Sequence, residues 1–204
     1  GLGFFLVKYF LDGGSWASSA FNRHLYNSSG QLASGTVLDR DGDVLSEVVD
    51  GQRTYYDNAT VRKATLHAVG DLQGNIGTGA LNAFADKLTG YSLLNGAFGA
   101  QRGNDLYLTI DARLQKIALD ALKENVEAAQ KEESYGSQCT GSVVVLDVND
   151  FSVLCAQSYP NYDLDKYMND PQYREDLLLN KDGQNAMWNR CFWQGYPIGS
   201  AMKP

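Results

Sequence analysis

Basic residues are scarce in this sequence, and long apolar runs are absent from it. The 204 residues carry 17 lysines and arginines against 24 aspartates and glutamates, a formal net charge of −7. An acidic chain with no basic run is a poor candidate for binding nucleic acid, because phosphates are neutralised by clustered basic side chains. The apolar stretch at residues 1–11 is too short for a membrane-spanning helix, which needs about 20 residues. It is either a strand or helix packed on a core, or the exit end of a membrane anchor that lies upstream.

Cysteine, histidine and proline are also few. Cys139, Cys155 and Cys191 are widely spaced, no CxxC occurs, and His24 and His67 are far from all three in sequence. A structural zinc site needs about four ligands at short paired spacings, so the sequence predicts no metal site, and it indicates no cofactor. An odd number of cysteines argues against a disulfide framework and favours small buried thiols. Four prolines and 21 glycines indicate many turns.

Hydrophobic patterning predicts an α+β chain of two units, with the change near residue 136. We divide the chain into an N-terminal segment at residues 1–25, membrane-proximal if an anchor lies upstream, a small module at residues 26–135, and a second domain that begins at residue 136 and includes residues 136–204. In the module we predict a hairpin at 36–49 around the turn DRDG, a strand at 52–56, a short apolar piece at 66–70, a helix at 79–88 and a strand at 105–110. Asp39 and Arg40 are expected to form a turn-stabilising pair. The sequons at 27–29 and 58–60 are interpreted as chance matches.

The strongest predicted helix covers residues 111–133. Asp111 is its N-cap, and its apolar stripe consists of Leu114, Ile117, Ala118, Ala121, Leu122 and Val126. A linker-like break at 135–140 comes next. The continuous apolar run at 141–146 and the strand at 152–159 then predict a hairpin in the centre of a new sheet, with its first strand covered on both faces. Residues 161–181 are interpreted as a loop with a short helix.

Near its C-terminal end the chain contains a pattern that could take part in catalysis, Ser200-Ala-Met-Lys203. A serine hydroxyl is a weak nucleophile near neutral pH and needs a base. If this segment is helical, Lys203 lies one turn beyond Ser200 on the same face, where its amine can accept the serine proton. The pattern alone has little specificity, because a chain with this many serines and lysines contains S-x-x-K by chance. The alternative for the bare pattern is a capping serine beside a surface lysine.

Five segments, in order along the chain, give that pattern a context. They are GTVLDRDGDVLSE at 35–47, LYLTIDARLQKIALDAL at 106–122, GSVVVLDVNDFSVLCAQSYPNYD at 141–163, NRCFWQGYP at 189–197 and YPIGSAMKP at 196–204. They cover about a third of the chain, and they resemble segments of class B penicillin-binding proteins. The module, with HAVGDLQGNIGTGALNAFADKLTGY at 67–91, looks most like the reduced pedestal of division-associated members from Gram-positive bacteria.

The resemblance implies a pedestal followed by the start of a transpeptidase domain of the serine β-lactamase-like fold. It further implies a D,D-transpeptidase that cross-links peptidoglycan stem peptides on the extracytoplasmic face of the cell membrane. Ser200 would be the acylated nucleophile and Lys203 its proton acceptor. β-Lactam antibiotics and a membrane glycosyltransferase would be partners. The family's later motifs, S-x-N and K-T/S-G, do not occur within these 204 residues, so we expect this piece to be inactive by itself.

One departure and two alternatives belong with this resemblance. The family hairpin usually begins with Arg-Gly, whereas this chain has Ser34-Gly35, which puts in doubt an ion pair made by that arginine. The main alternative function is a non-catalytic scaffold that docks on a cell-wall glycosyltransferase. A β-lactamase or β-lactam sensor also shares S-x-x-K, but it is disfavoured by the hairpin and helix segments upstream.

Overall fold

The computed structural model describes residues 34–89, 103–132 and 139–192, together with the single residues 3, 4, 8 and 195. Most of the predicted segment 1–25, the linker residues 135–138, and both Ser200 and Lys203 lie outside the described residues. Among the residues described, no helix combines the length and the apolarity needed to cross a bilayer.

The first sheet has the strand order β3-β2-β1-β4. Its strands are β1 (Val37–Leu38), β2 (Val44–Val49), β3 (Gln52–Tyr55) and β4 (Leu106–Tyr107). Strands β1, β2 and β3 are joined antiparallel, and β4 pairs parallel with β1. The predicted hairpin and the strand after it are confirmed. The strand predicted at 105–110 is shorter, because the chain leaves the sheet at Thr109, whose hydroxyl donates to the Val153 carbonyl at 2.7 Å.

Asp39 determines the turn between β1 and β2. Its Oδ1 accepts hydrogen bonds from the backbone N–H groups of Asp41 and Asp43, each at 2.9 Å. Its Oδ2 accepts from the N–H of Ala112 at 3.2 Å. The carboxylate is buried and serves backbone donors. It therefore stabilises the turn without the predicted pairing with Arg40, and it ties the hairpin to the start of the long helix.

Helix α1 (Ala59–Val69) is longer than the apolar piece that the sequence pattern indicates at 66–70. It begins at Asn58, whose Oδ1 accepts from the N–H groups of Thr60 at 3.0 Å and Val61 at 3.2 Å. It ends at Gly70, whose φ of 90° is readily adopted only by glycine. Asn58 opens the stretch that matches a sequon, and its role in this chain is to cap a helix.

The helix predicted at 79–88 is two short helices, α2 (Ala80–Ala83) and α3 (Ala85–Thr89). Phe84 separates them, because its φ of −120° lies outside the helical region. Both short helices contribute to the same core, α2 with the buried Ala80 and the partly buried Leu81, and α3 with the buried Leu88.

Helix α4 (Ala112–Ala129) confirms the strongest prediction, including its N-cap. Asp111 Oδ1 accepts from the N–H groups of Arg113 at 2.9 Å and Leu114 at 3.2 Å. The predicted stripe is partly wrong: Val126 is buried as predicted, but Ile117 is 63% exposed and the buried Leu119 was not part of the stripe. The buried face is rotated because its centre is a polar residue, Gln115, which hydrophobic patterning excludes.

The second sheet, in the described part of the chain, pairs β5 (Gly141–Leu146) antiparallel with β6 (Val153–Tyr159). The predicted hairpin is confirmed. Within the described residues one face of β5 is uncovered, since Val144 is 45% and Leu146 47% exposed, and its position at the centre of a larger sheet stays a prediction. Helix α4 covers only one face of the pair, at a position where Gly141 leaves room for Leu122 and Val126.

Two short helices, α5 (Leu164–Asn169) and α6 (Pro171–Leu178), follow the second sheet and are the last regular elements of the described residues. In the part of the chain that the structure describes, the buried apolar side chains form two clusters. The first contains Val37, Leu45, Val69, Ala80, Leu88, Ile110 and Ala112. The second contains Leu66, Ile76, Tyr162, Leu164, Tyr167 and Ala186. The second cluster draws on residues from both sides of position 136. The division of the chain at that position stays a prediction.

Candidate functional site

Ser200 and Lys203, the predicted nucleophile and base, lie outside the described residues. The last continuous stretch described before them is residues 139–192, and its end, residues 184–192, is here called the approach segment. Seven residues separate its end from the predicted nucleophile, and it is held by four groups of contacts. These contacts are the part of the candidate site that lies within the described residues.

Arg190 forms hydrogen bonds with other residues of the approach segment. It is buried, and its guanidinium donates to the carbonyls of Gln184, Asn185 and Trp188, the last two at 3.3 and 3.4 Å. Charge-assisted bonds to several carbonyls are stronger than neutral ones and fix a turn that has no regular secondary structure. Arg190 therefore determines the shape of the segment.

His67 holds the approach segment from helix α1. Its Nε2 lies 2.9 Å from the carbonyl oxygen of Ala186. Burial lowers the pKa of His67 to about 4, so the ring is neutral at pH 7. Because a carbonyl only accepts, Nε2 must carry the proton and donate it. In return, Asn189 Nδ2 donates to the backbone carbonyl of His67 at 3.4 Å.

Ser158 and Cys191 fasten the same segment to the second sheet. The Ser158 hydroxyl donates to the Trp188 carbonyl and accepts from the Arg190 N–H, both at 3.1 Å. Cys191 Sγ lies 3.4 Å from the Gln157 carbonyl oxygen. Burial raises the pKa of Cys191 to about 11 and that of Cys155 to about 12, so both stay thiols near neutral pH. None of the three cysteines forms a disulfide within the chain, which agrees with the prediction of no disulfide framework.

A cavity of about 160 Å³ adjoins the approach segment. Its lining is mainly apolar and includes Phe84, Leu108, Ala156 and Phe192. Within the residues that the structure describes, no three His, Cys, Asp or Glu side chains are grouped so that they could hold a metal ion.

Comparison with solved structures gives this scaffold a family context, although no family model and no curated protein matches the chain. The chain is similar to the D,D-transpeptidase domain of a peptidoglycan glycosyltransferase from Eggerthella lenta, with 26% identity and a TM-score of 0.52. That match covers 77% of this chain and 31% of the other. The fold of the present chain therefore matches that of a penicillin-binding protein.

Two structures of penicillin-binding protein A from Mycobacterium tuberculosis share the fold. The first matches at 22% identity with a TM-score of 0.57, over 82% of this chain and 39% of the other. The second, a penicillin G acyl-enzyme complex, matches at 22% identity with a TM-score of 0.56, over 82% and 40%. The chain spans about a third of the length of the penicillin-binding proteins it matches first. The predicted fold class is therefore confirmed as a partial transpeptidase-type fold.

The departure at the start of the penicillin-binding-protein hairpin has a structural counterpart. Arg53 on β3 donates from Nη1 to the Gly35 carbonyl at 2.8 Å and from Nη2 to the Ser34 hydroxyl. Burial lowers the pKa of Arg53 to about 10, which still leaves it charged at neutral pH. The guanidinium thus reaches Ser34 and Gly35 from β3, which β2 separates from β1, whereas the family pattern has its arginine in the hairpin itself.

Sequence reasoning missed His67, Ser158 and the role of Arg190. His67 and Arg190 lie inside segments quoted for the resemblance, but their partners are far away in sequence, 119 residues in the case of His67 and Ala186. The only local signal was the type of residue: a histidine in an apolar helical stretch and an arginine followed by aromatic residues. Neither type identifies its partner without the fold.

Proposed function

We propose that the protein containing these residues is a serine D,D-transpeptidase of peptidoglycan synthesis, with Ser200 as nucleophile and Lys203 as its base. The observation that carries the proposal is the likeness to the Eggerthella lenta D,D-transpeptidase domain, combined with an S-x-x-K that begins after seven further residues beyond the approach segment. The subgroup suggested by the sequence is class B and division-associated. Because stem peptides lie outside the cytoplasm, the working location is the extracytoplasmic face of the cell membrane.

In the proposed reaction, Ser200 Oγ attacks the carbonyl carbon of the D,D-peptide bond of a stem peptide while Lys203 Nζ accepts the hydroxyl proton. The tetrahedral intermediate collapses, the C–N bond breaks, and the departing amine takes up a proton. The resulting ester on Ser200 is then attacked by an amine of a second stem peptide. That step forms the cross-link and restores the serine hydroxyl. A β-lactam would acylate the same oxygen by opening its ring.

The test is acylation by a fluorescent penicillin, located by mass spectrometry. We expect the full-length protein to carry one adduct on Ser200. Ser200→Ala should abolish it, and Lys203→Ala should slow its formation strongly. The 204-residue chain alone should not be labelled, because it lacks S-x-N, K-T/S-G and the second oxyanion donor that the family pattern places beside the latter. An unlabelled full-length protein would refute the enzymatic proposal and favour a scaffold that docks on a glycosyltransferase.

A further inference from the structure

The approach segment is held from two directions by elements that are remote in sequence. Helix α1 contributes His67, which bonds Ala186 and Asn189. Strand β6 contributes Ser158, which bonds Trp188 and Arg190. The approach segment is therefore clamped between a helix from before position 136 and a strand from after it.

His67 is the one ionisable side chain that helix α1 contributes to this clamp, and it is 1% exposed. A buried imidazole with only one hydrogen bond is a costly choice for a core position that Leu or Met could fill. Its Nδ1 has no partner, so the ring retains a single specific interaction, the donation to the Ala186 carbonyl. Packing alone does not require that donor, which points to a requirement for the position of Ala186.

We propose that His67 is a positioning residue for Ser200: it fixes the approach segment to helix α1 and thereby fixes where the chain enters the S-x-x-K motif. The inference rests on the proposed function. Only seven residues separate Phe192, the end of the approach segment, from Ser200. Under this proposal a shift of the segment would reach the nucleophile along those seven residues of chain. Helix α1 would in this way influence acylation without touching substrate.

The physical reason is the sensitivity of acyl transfer to geometry. A nucleophile misplaced by about 1 Å loses on the order of 100-fold in rate. If His67 can no longer donate, the Ala186 carbonyl is left buried without its partner, and the turn at 184–192 relaxes toward another position. Binding of a β-lactam before the chemical step depends on other surfaces and should change little.

The experiment compares variants of the full-length protein in stopped-flow acylation by a fluorescent penicillin. His67→Phe removes the donor and should lower the first-order acylation constant roughly tenfold or more. The dissociation constant of the non-covalent complex should stay within about twofold of the parent value. His67→Gln places an amide donor near the position of Nε2 and should recover most of the rate. Ser158→Ala, which loosens the clamp from β6, should also lower the acylation constant.

The matched control is Thr65→Val. Thr65 is equally buried in the same helix, but its hydroxyl donates to Val61 within that helix and not to the approach segment. Thr65→Val should acylate at the parent rate even if its Tm falls. Equal rate losses in Thr65→Val and His67→Phe, or a parental rate in His67→Phe, would overturn the positioning role.

A second measurement tests whether His67 holds the approach segment, independently of the acylation reaction. Amide hydrogen exchange in the 204-residue chain should be faster across residues 184–192 in His67→Phe than in Thr65→Val, and unchanged exchange would refute the clamp itself. A parent protein that is never acylated at Ser200 refutes the proposed function, and the positioning role with it. An acylated parent with an unaffected His67→Phe refutes the positioning role alone.

Discussion

Gln115, near the start of helix α4, forms hydrogen bonds with backbone groups through both atoms of its carboxamide. Its Oε1 accepts from the Ala156 N–H at 2.8 Å, and its Nε2 donates to the Ala64 carbonyl at 3.1 Å. One side chain thereby joins helices α4 and α1 to strand β6. Gln115 and His67 are both polar residues at core positions, where a hydrophobicity pattern predicts apolar ones. Such residues are recognisable only when their backbone partners are known.

At the same scale, we predict that His67 makes the stability of the chain pH-dependent. Burial depresses its folded pKa to about 4, whereas an unfolded histidine has a pKa of about 6.5. Between these values the unfolded chain binds a proton that the folded chain does not bind. Stability is therefore complete above pH 6.5 and is lost as the pH falls toward 4. Between pH 7 and pH 5 the loss attributable to His67 should be about 2 kcal/mol.

Urea unfolding of the parent and of His67→Gln at pH 7 and pH 5 measures this contribution. The carboxyl groups that titrate in the same range are common to both proteins, so the difference between them isolates His67. The parent should lose more free energy of unfolding than His67→Gln on acidification. Equal losses in the two proteins would show that His67 is not buried as a neutral ring.

At the scale of secondary-structure elements, helix α4 provides a test of which face is buried. Leu119 is 5% exposed, whereas Ile117, which the apolar stripe predicts to be inside, is largely exposed. Leu119→Ala should cost about 2–4 kcal/mol of unfolding free energy, because it removes buried methyl groups and leaves a cavity. Ile117→Ala should change it by less than about 1 kcal/mol. Chemical denaturation of the two variants measures both effects, and the reverse order would restore the stripe predicted from the sequence.

Elements fixed by local chemistry were predictable, and those fixed by distant contacts were not. The turn at Asp39 and the N-cap at Asp111 are determined within a few residues, so the β1–β2 hairpin and helix α4 can be predicted from the sequence. Helix α1 also has a local signal, the Asn58 cap, but its apolar residues are interrupted by Arg62 and Lys63. The face of α4 depends on Gln115 meeting Ala64 and Ala156, which no local pattern contains. The positions of Ser200 and Lys203 are still predictions.

At the scale of the whole molecule, the described residues on the two sides of position 136 share a core. Leu66 and Ile76 pack with Tyr162 and Tyr167 in the second cluster. Helix α4 also begins with a bond across the division, from the Asp111 N–H to the Leu154 carbonyl at 2.9 Å. Separating the two sides would expose these apolar side chains to water at a cost of about 25 cal/mol for each Å². A break in the sequence pattern near 136 is therefore compatible with one cooperative unit.

We predict that a single proteolytic cut near residues 135–139 leaves the two parts of the chain associated. The sequence there is linker-like, which favours cleavage. After the cut, the shared cluster and the bonds of Gln115 still join the two parts, so they should co-elute in size-exclusion chromatography and separate only in denaturant. Tyr162→Ala, which opens the shared cluster, should let the cut parts separate under native conditions. The exposed Tyr107→Ala provides the control and should leave them together. Cut parts of the parent chain that separate without denaturant would show that the module before residue 136 folds independently of the residues after it.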